Sequence, residues 1–242
     1  MTVLIASTVA PWKCDGAQEV AWLRTAEFIA DEAADAGHEV EWFCAVERDG
    51  RGDAPFGTLM ARIANLGGTV WRFSVDDNSD EIDAQNRLIR ICTGRNLAIE
   101  FAQRSRDFSH ILFLDSDIYP PPEIVPALLA LRRPLAGLKV DAYSLDGKPV
   151  EATCLLEAGL EGADVREHWN TAGCLMVERL AFSKLRWRTE IDAGLTDDPC
   201  FQGDAVRYGF GQTWVRHDIV AQHHPGSMVP VENRPGDRVV YR

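Results

Sequence analysis

Asp115 and Asp117 stand two residues apart at the end of an apolar run, residues 110–114. In extended backbone, residues two apart point to the same side, so both carboxylates face one ion while Ser116 turns away. Such a pair suits a hard divalent cation, Mn²⁺ or Mg²⁺, shared with substrate phosphates. That ion would act as a Lewis acid toward a departing nucleoside diphosphate. The competing use of an Asp-x-Asp stretch is to form a turn or cap a helix.

Other residues of suitable chemistry are scattered along the chain. Arg95 and Asn96 follow Gly94 at an expected helix start, where free backbone N–H groups favour phosphate and an arginine adds a bidentate contact; the alternative is a surface arginine paired with Glu100 or Asp107. His223 and His224 end an apolar run on opposite faces of a strand, so one of them can supply a nitrogen ligand to the same metal. Trp169, before Asn170, is suited to stack on an acceptor ring or to fill the core. Asp198 precedes Pro199, which fits an N-cap with proline at the first helical position. Arg186 and Arg188 flank Trp187 and offer a local path for an anionic strand.

The elements that must position these residues alternate. Strands are expected at 3–7, 39–46 and 69–75, with helices at 19–36 and 54–66 between them, which is the pattern of βαβ units and a largely parallel sheet. A helical stripe through Ile82, Leu88, Ile89 and Cys92 is expected to break at Thr93-Gly94, with a new helix from Arg95 through Leu97, Ala98, Phe101 and Ala102. Residues 110–114 form a buried strand, and the prolines at 120–122 end it and start a helix through 124–129. Further strands are expected at 135–140, 149–156, 171–177, 213–215 and 219–222, with helices at 178–185 and from Pro199 to Gly209. The tail from Pro225 is rich in Pro and Gly and is expected to wrap the surface.

Composition bounds the function. The 242 residues are 46% apolar and 26% charged, enough for one α/β domain with a sizeable core. A formal net charge of −12 argues against nonspecific adhesion to nucleic acid or anionic membrane by the whole surface. Residues 1–7 are apolar but carry no basic region and are too short to span a bilayer. The six cysteines are widely spaced with no Cys-x-x-Cys pair, so reduced thiols and a cytoplasmic setting are expected.

Taken in order, residues 111–118, Gly94-Arg95-Asn96, Asn170-Thr171-Ala172-Gly173, Thr196-Asp197-Asp198 and Gln222-His223-His224-Pro225-Gly226 resemble the GT-A glycosyltransferases with a DXD motif. The resemblance implies a single Rossmann-like α/β domain with a mixed, mainly parallel sheet. Residues 1–117 would bind the nucleotide-sugar donor and residues 118–242 the acceptor. It implies Asp115, Asp117 and His223 or His224 as metal ligands, and Asp198 or Asp197 as the base that deprotonates an acceptor hydroxyl. Thr8, Ala10, Asp76, Arg95, Asn96, Asp115 and Ser116 would line the donor site, since ligands of open α/β sheets bind outside the carboxyl ends of the strands. Trp169, Asn170, Gly173 and Arg186 would meet the acceptor, which the sequence leaves open among carbohydrate, small molecule and hydroxymethylated pyrimidine in DNA. The rival readings are a nucleotidyltransferase, which would need a Gly-rich basic loop that residues 7–16 lack, and a noncatalytic binding module of the same fold.

Overall fold

The computed structural model describes residues 1–9, 20–47, 54–75, 84–105, 107–143, 149–151, 164–167, 173–190 and 196–223. Ala10, Asp76, Trp169, Asn170, His224 and the tail from Pro225 lie outside the described residues.

The strands are β1 (Thr2–Val9), β2 (Glu39–Glu47), β3 (Thr69–Phe73), β4 (Phe108–Leu114), β5 (Ile118–Tyr119), β6 (Leu135–Tyr143), β7 (Pro149–Glu151), β8 (Asp164–Glu167), β9 (Cys174–Glu178) and β10 (Thr213–His223). The helices are α1 (Ala26–Asp35), α2 (Ala54–Asn65), α3 (Ala84–Arg104), α4 (Ile124–Leu129), α5 (Arg179–Lys184) and α6 (Asp197–Arg207). The strands form one sheet in the order β3-β2-β1-β4-β9-β6-β10-β5, with β7 beside β6 and β8 beside β10. Pairing is parallel from β3 through β4 and again between β6 and β10; β9 is antiparallel to both its neighbours. The fold is therefore the expected mixed α/β sheet with a parallel first half.

Alternation along β1 shows how the core is divided. Val3 and Ile5 face one side with Ile29 of α1, Ile63 of α2 and Ile124 of α4, whereas Leu4 and Ala6 face the other with Ile99 of α3, Phe182 of α5 and Phe201 of α6. Helices thus cover both faces, and the strands between them read as continuous apolar runs because neither face meets water.

Several elements depart from the sequence expectation. The first helix opens as a 3-10 turn, Ala21–Arg24, and α1 begins only after Thr25, whose hydroxyl bonds Trp22 O. The expected break at Thr93-Gly94 does not occur, and α3 runs unbroken through both residues. Thr93 turns its hydroxyl back to Ile89 O, and Gly94 is small because α3 crosses β1 there: a Cβ on Gly94 would lie 2.4 Å from Thr8 Cγ2. The two expected closing strands are one strand, β10, with a register shift between Arg216 and Val220. Among the described residues, no helix is long and apolar enough to cross a membrane.

Candidate functional site

The Asp-x-Asp stretch leaves β4 as a tight turn. Ile118 N donates to Asp115 O at 3.1 Å and Asp115 N to Gly173 O at 2.9 Å. This corrects the extended-backbone expectation, because a chain reversing from β4 into the short β5 cannot keep two-residue alternation. The turn is held from below. Ala21 N donates to Ser116 O at 2.8 Å, Ser116 is buried, and Ser7 Oγ donates to Leu114 O while accepting from Trp22 Nε1. β10 finishes alongside, with His223 paired to Ile118 in the ladder, so the late histidine segment returns to the residue following Asp117.

Arg95 is the centre of the site. It projects from the middle of α3, not from a helix start, because the helix continues through Gly94. The face that carries it also carries the buried Ala98, Ile99 and Ala102, so the guanidinium is driven beneath the carboxyl edge of the sheet and is itself 5% exposed. Its Nη2 donates to Asp115 Oδ1 at 2.9 Å, and its Nη1 to Asp197 Oδ2 at 2.5 Å and Asp198 Oδ1 at 3.3 Å. Burial opposes its charge, but Asp115, Asp197 and Asp198 outweigh that cost and hold its pKa above the usual arginine value.

Both acidic residues lie in the first turn of α6, after Thr196 at the cap. The expected N-cap role of Asp198 is thus corrected: the helix starts two residues earlier than Pro199 implied, and the two carboxylates face Arg95 with the helix dipole in their favour. They differ in access. Asp197 is 8% exposed at its side chain and Asp198 is 28% exposed.

Asp115 turns its two oxygens to different neighbours. Oδ1 is taken by Arg95, while Oδ2 faces Gly173, where a Cβ would lie 3.3 Å away. Among the described residues, the carboxylates of Asp115, Asp197 and Asp198 gather on the one guanidinium of Arg95, and carboxylate oxygens are the donors a hard cation takes. Among the described residues no three His, Cys, Asp or Glu side chains converge as a ready-made metal cage. Such a donor set fits an ion that takes the rest of its ligands from substrate phosphate and water.

Asn96 is occupied elsewhere. Its Nδ2 donates to Trp187 O and its Oδ1 accepts from Trp187 N, both at 2.9 Å. Thr8 abuts Gly94, and its buried Oγ1 has no hydrogen-bond partner among the described residues. Arg186 donates to Phe182 O, Leu185 O and Gln103 Oε1, closing the end of α5 against α3. Asp204 is gripped by Arg188 at 2.7 and 2.9 Å, and that bond, opposed by partial burial, holds its carboxyl below the ordinary value. Cys92, Cys174 and Cys200 are buried free thiols near the cluster. Burial, followed by the charge of Asp197, pushes the Cys92 thiol up to about 12, so it is unreactive.

Sequence reasoning missed Trp187. The indole lies under Arg95, with Cζ 4.4 Å from the ring centroid, and stacks on Phe201 at 3.9 Å. Only its place between two arginines was visible, and nothing in that setting announced a residue 2% exposed.

No family model matches the chain, and no curated protein matches it by sequence. Among solved structures, the crystal structure of GalNAc-T7 with UDP, GalNAc and Mn²⁺ is similar over 93% of this chain and 44% of that one, with a TM-score of 0.57 and 12% identity. The crystal structure of A197 from STIV is similar over 92% of this chain and 85% of that one, with a TM-score of 0.47 and 12% identity. The chain spans less than half the length of the GalNAc-T7 chain it matches. At this identity the likeness shows the fold, which is GT-A-like.

Proposed function

We propose that this chain is a divalent-metal-dependent glycosyltransferase that moves a sugar from a nucleotide-sugar donor to an acceptor hydroxyl. The observation that carries the reading is Arg95, one buried guanidinium that gathers Asp115 of the Asp-x-Asp turn with Asp197 and Asp198 of α6. Glycosyl transfer needs a cation site for the leaving diphosphate and a carboxylate for the acceptor within one substrate length, at the edge where open sheets bind ligands. The fold likeness to a protein crystallised with UDP, GalNAc and Mn²⁺ supports the same class.

In this reading residues 1–117 carry the donor half, with Thr8, Ala10 and Asp76 lining the nucleotide. Asp115 through Oδ2, Asp117, and His223 or His224 hold Mn²⁺ or Mg²⁺. That ion, when bound, stabilises the charge gathering on the diphosphate oxygens. Asp198, the more exposed of its pair, takes the proton of the acceptor hydroxyl as that oxygen bonds to the anomeric carbon, and the anomeric C–O electron pair leaves with the diphosphate. Asp197, closer to Arg95 and more buried, anchors the guanidinium. Residues 118–242 carry the acceptor half, where Trp169, Asn170 and Gly173 meet a carbohydrate, a small molecule or a hydroxymethylated pyrimidine in DNA.

The test incubates the protein with a panel of UDP-, GDP- and dTDP-sugars in Mn²⁺, Mg²⁺ or EDTA. It measures donor hydrolysis and mass gain on simple sugars, hydroxymethylpyrimidine DNA and unmodified DNA. Metal-dependent turnover of one donor, lost in Asp117→Ala, is the expected result. A panel with neither turnover nor metal-dependent thermal stabilisation by any donor would remove the reading.

A further inference from the structure

We infer that Asn96 and Trp187 are positioning residues of the candidate site: the Asn96 amide pins the main chain at Trp187, and the indole so fixed is the shelf that sets where Arg95 holds Asp115 and Asp198. The inference rests on the glycosyltransferase reading only in treating those carboxylates as working groups; the geometry stands without it.

The three carboxylates fix the nitrogens of Arg95 but not the height of its plane, because they come from separate elements, the turn after β4 and the start of α6. The plane is set from the other side. Cζ of Arg95 lies 4.4 Å above the Trp187 ring, a guanidinium resting on an aromatic face out of water. That ring is clasped by the elements that carry the carboxylates. It stacks on Phe201, four residues after Asp197 in α6, at 3.9 Å and 11°, and it takes Phe113, two residues before Asp115 on β4, edge-on at 5.2 Å and 79°. Movement of the indole therefore moves Arg95 relative to both β4 and α6.

Trp187 itself lies on the connector after α5, with no strand or helix to hold it. The reciprocal pair of hydrogen bonds from Asn96, the residue after Arg95, supplies the missing constraint. The two side chains from neighbouring positions of α3 thus grip Trp187 from backbone and from ring face. Among the described residues the buried indole Nε1 has no hydrogen-bond partner, so it is the face of the ring that the site engages. Plain core packing would explain the stack on Phe201, but it does not require an amide clamp on the backbone or a guanidinium on the free face.

The test uses the full-length ¹⁵N-labelled protein and two readouts, solvent exchange of the Arg95 guanidinium protons, assigned by their loss in Arg95→Lys, and Mn²⁺ affinity by electron paramagnetic resonance. Variants are Trp187→Leu, Trp187→Phe, Asn96→Ser and, as a control in the opposite core cluster, Ile63→Val, each with its melting temperature. Trp187→Phe keeps an aromatic face and should leave both readouts within about twofold of wild type. Trp187→Leu and Asn96→Ser, while still folded, should speed exchange at least about tenfold and weaken Mn²⁺ at least about threefold, whereas Ile63→Val lowers the melting temperature and moves neither. Unchanged Arg95 exchange in Trp187→Leu and Asn96→Ser overturns the inference, as does a Phe variant that behaves like Leu. If a Leu variant does not fold, Asn96→Ser and Trp187→Phe decide alone. Wild-type protein that binds no Mn²⁺ counts against the functional reading, and exchange then decides the positioning claim separately.

Discussion

Gly173 and Asp115 meet so closely that a Cβ on the glycine would stand 3.3 Å from Asp115 Oδ2, the carboxylate oxygen that Arg95 does not take. The absence of a side chain at 173 thus keeps the space beside that oxygen of the proposed metal ligand clear of a Cβ. Gly173→Val should place methyl groups there and weaken Mn²⁺ binding at least about tenfold, which is about 1.4 kcal/mol. Gly173→Ala, whose single carbon is accommodated by a shift of a few tenths of an ångström, should lose less. Calorimetric titration with Mn²⁺ checks the order; equal affinity in all three proteins would detach Asp115 from the metal.

The structure separates the carboxylates of α6 by their partners. Asp198 is part-exposed and accepts from Arg95 at 3.3 Å, whereas Asp204 accepts from Arg188 at 2.7 and 2.9 Å with a third contact from Arg207. Asp198→Asn should lower turnover by about 10²–10⁴-fold, the usual contribution of a general base. Asp204→Asn should keep turnover and cost about 1 kcal/mol of stability, since the pair with Arg188 is partly solvated. Donor turnover assays beside thermal melts compare them, and loss of activity in Asp204→Asn with none in Asp198→Asn would reverse the assignment.

What the sequence made legible follows from local physics. Apolar runs and their spacing located β1, β2, β4 and the helices on both faces, because burial on both sides of a parallel sheet leaves an unbroken apolar signature. Asp115, Asp197 and Asp198 stood out because carboxylates at element ends are visible one by one. Their common partner was not. Arg95 looked like a helix-start phosphate contact because Gly94 read as a breaker, whereas its smallness answers Thr8, 86 positions earlier. Asn96 and Trp187, 91 positions apart, share no local pattern that could announce their paired hydrogen bonds.

The crossing of α3 over β1 gives its own prediction. A Cβ on Gly94 would sit 2.4 Å from Thr8 Cγ2 and 2.5 Å from Thr8 Oγ1. Gly94→Ala should destabilise the fold by about 1–3 kcal/mol through overpacking, despite the better helix propensity of alanine. Thr8→Ala removes both of these atoms, and among the described residues its Oγ1 has no hydrogen bond to lose. The double variant should therefore recover a good part of the loss, giving a favourable coupling energy in a denaturation cycle. Strict additivity would show that Gly94 is not held small by Thr8.

At the opposite end of β4, His110 gives the fold an acid-sensitive group far along the strand from the Asp-x-Asp turn. Burial, with the nearby His38 adding to it, lowers the His110 pKa from 6.5 to about 4. The ring makes a hydrogen bond through Nδ1 to Ser109 Oγ at 3.0 Å, and the buried His38 Nδ1 has no partner among the described residues, so protonation would place a charge where little compensates it. Between the two pKa values the unfolded chain binds a proton that the folded chain refuses. Stability from this group is therefore complete above about pH 6.5 and declines as the pH falls toward 4. The size should be on the order of 2 kcal/mol, less than the full shift would give because the ring is only partly buried. His110→Leu cannot take up the proton in either state, so its urea-unfolding free energy should fall less than that of wild type between pH 7 and pH 5. Parallel pH profiles for the two proteins would show that His110 is not the group whose protonation opposes folding in mild acid.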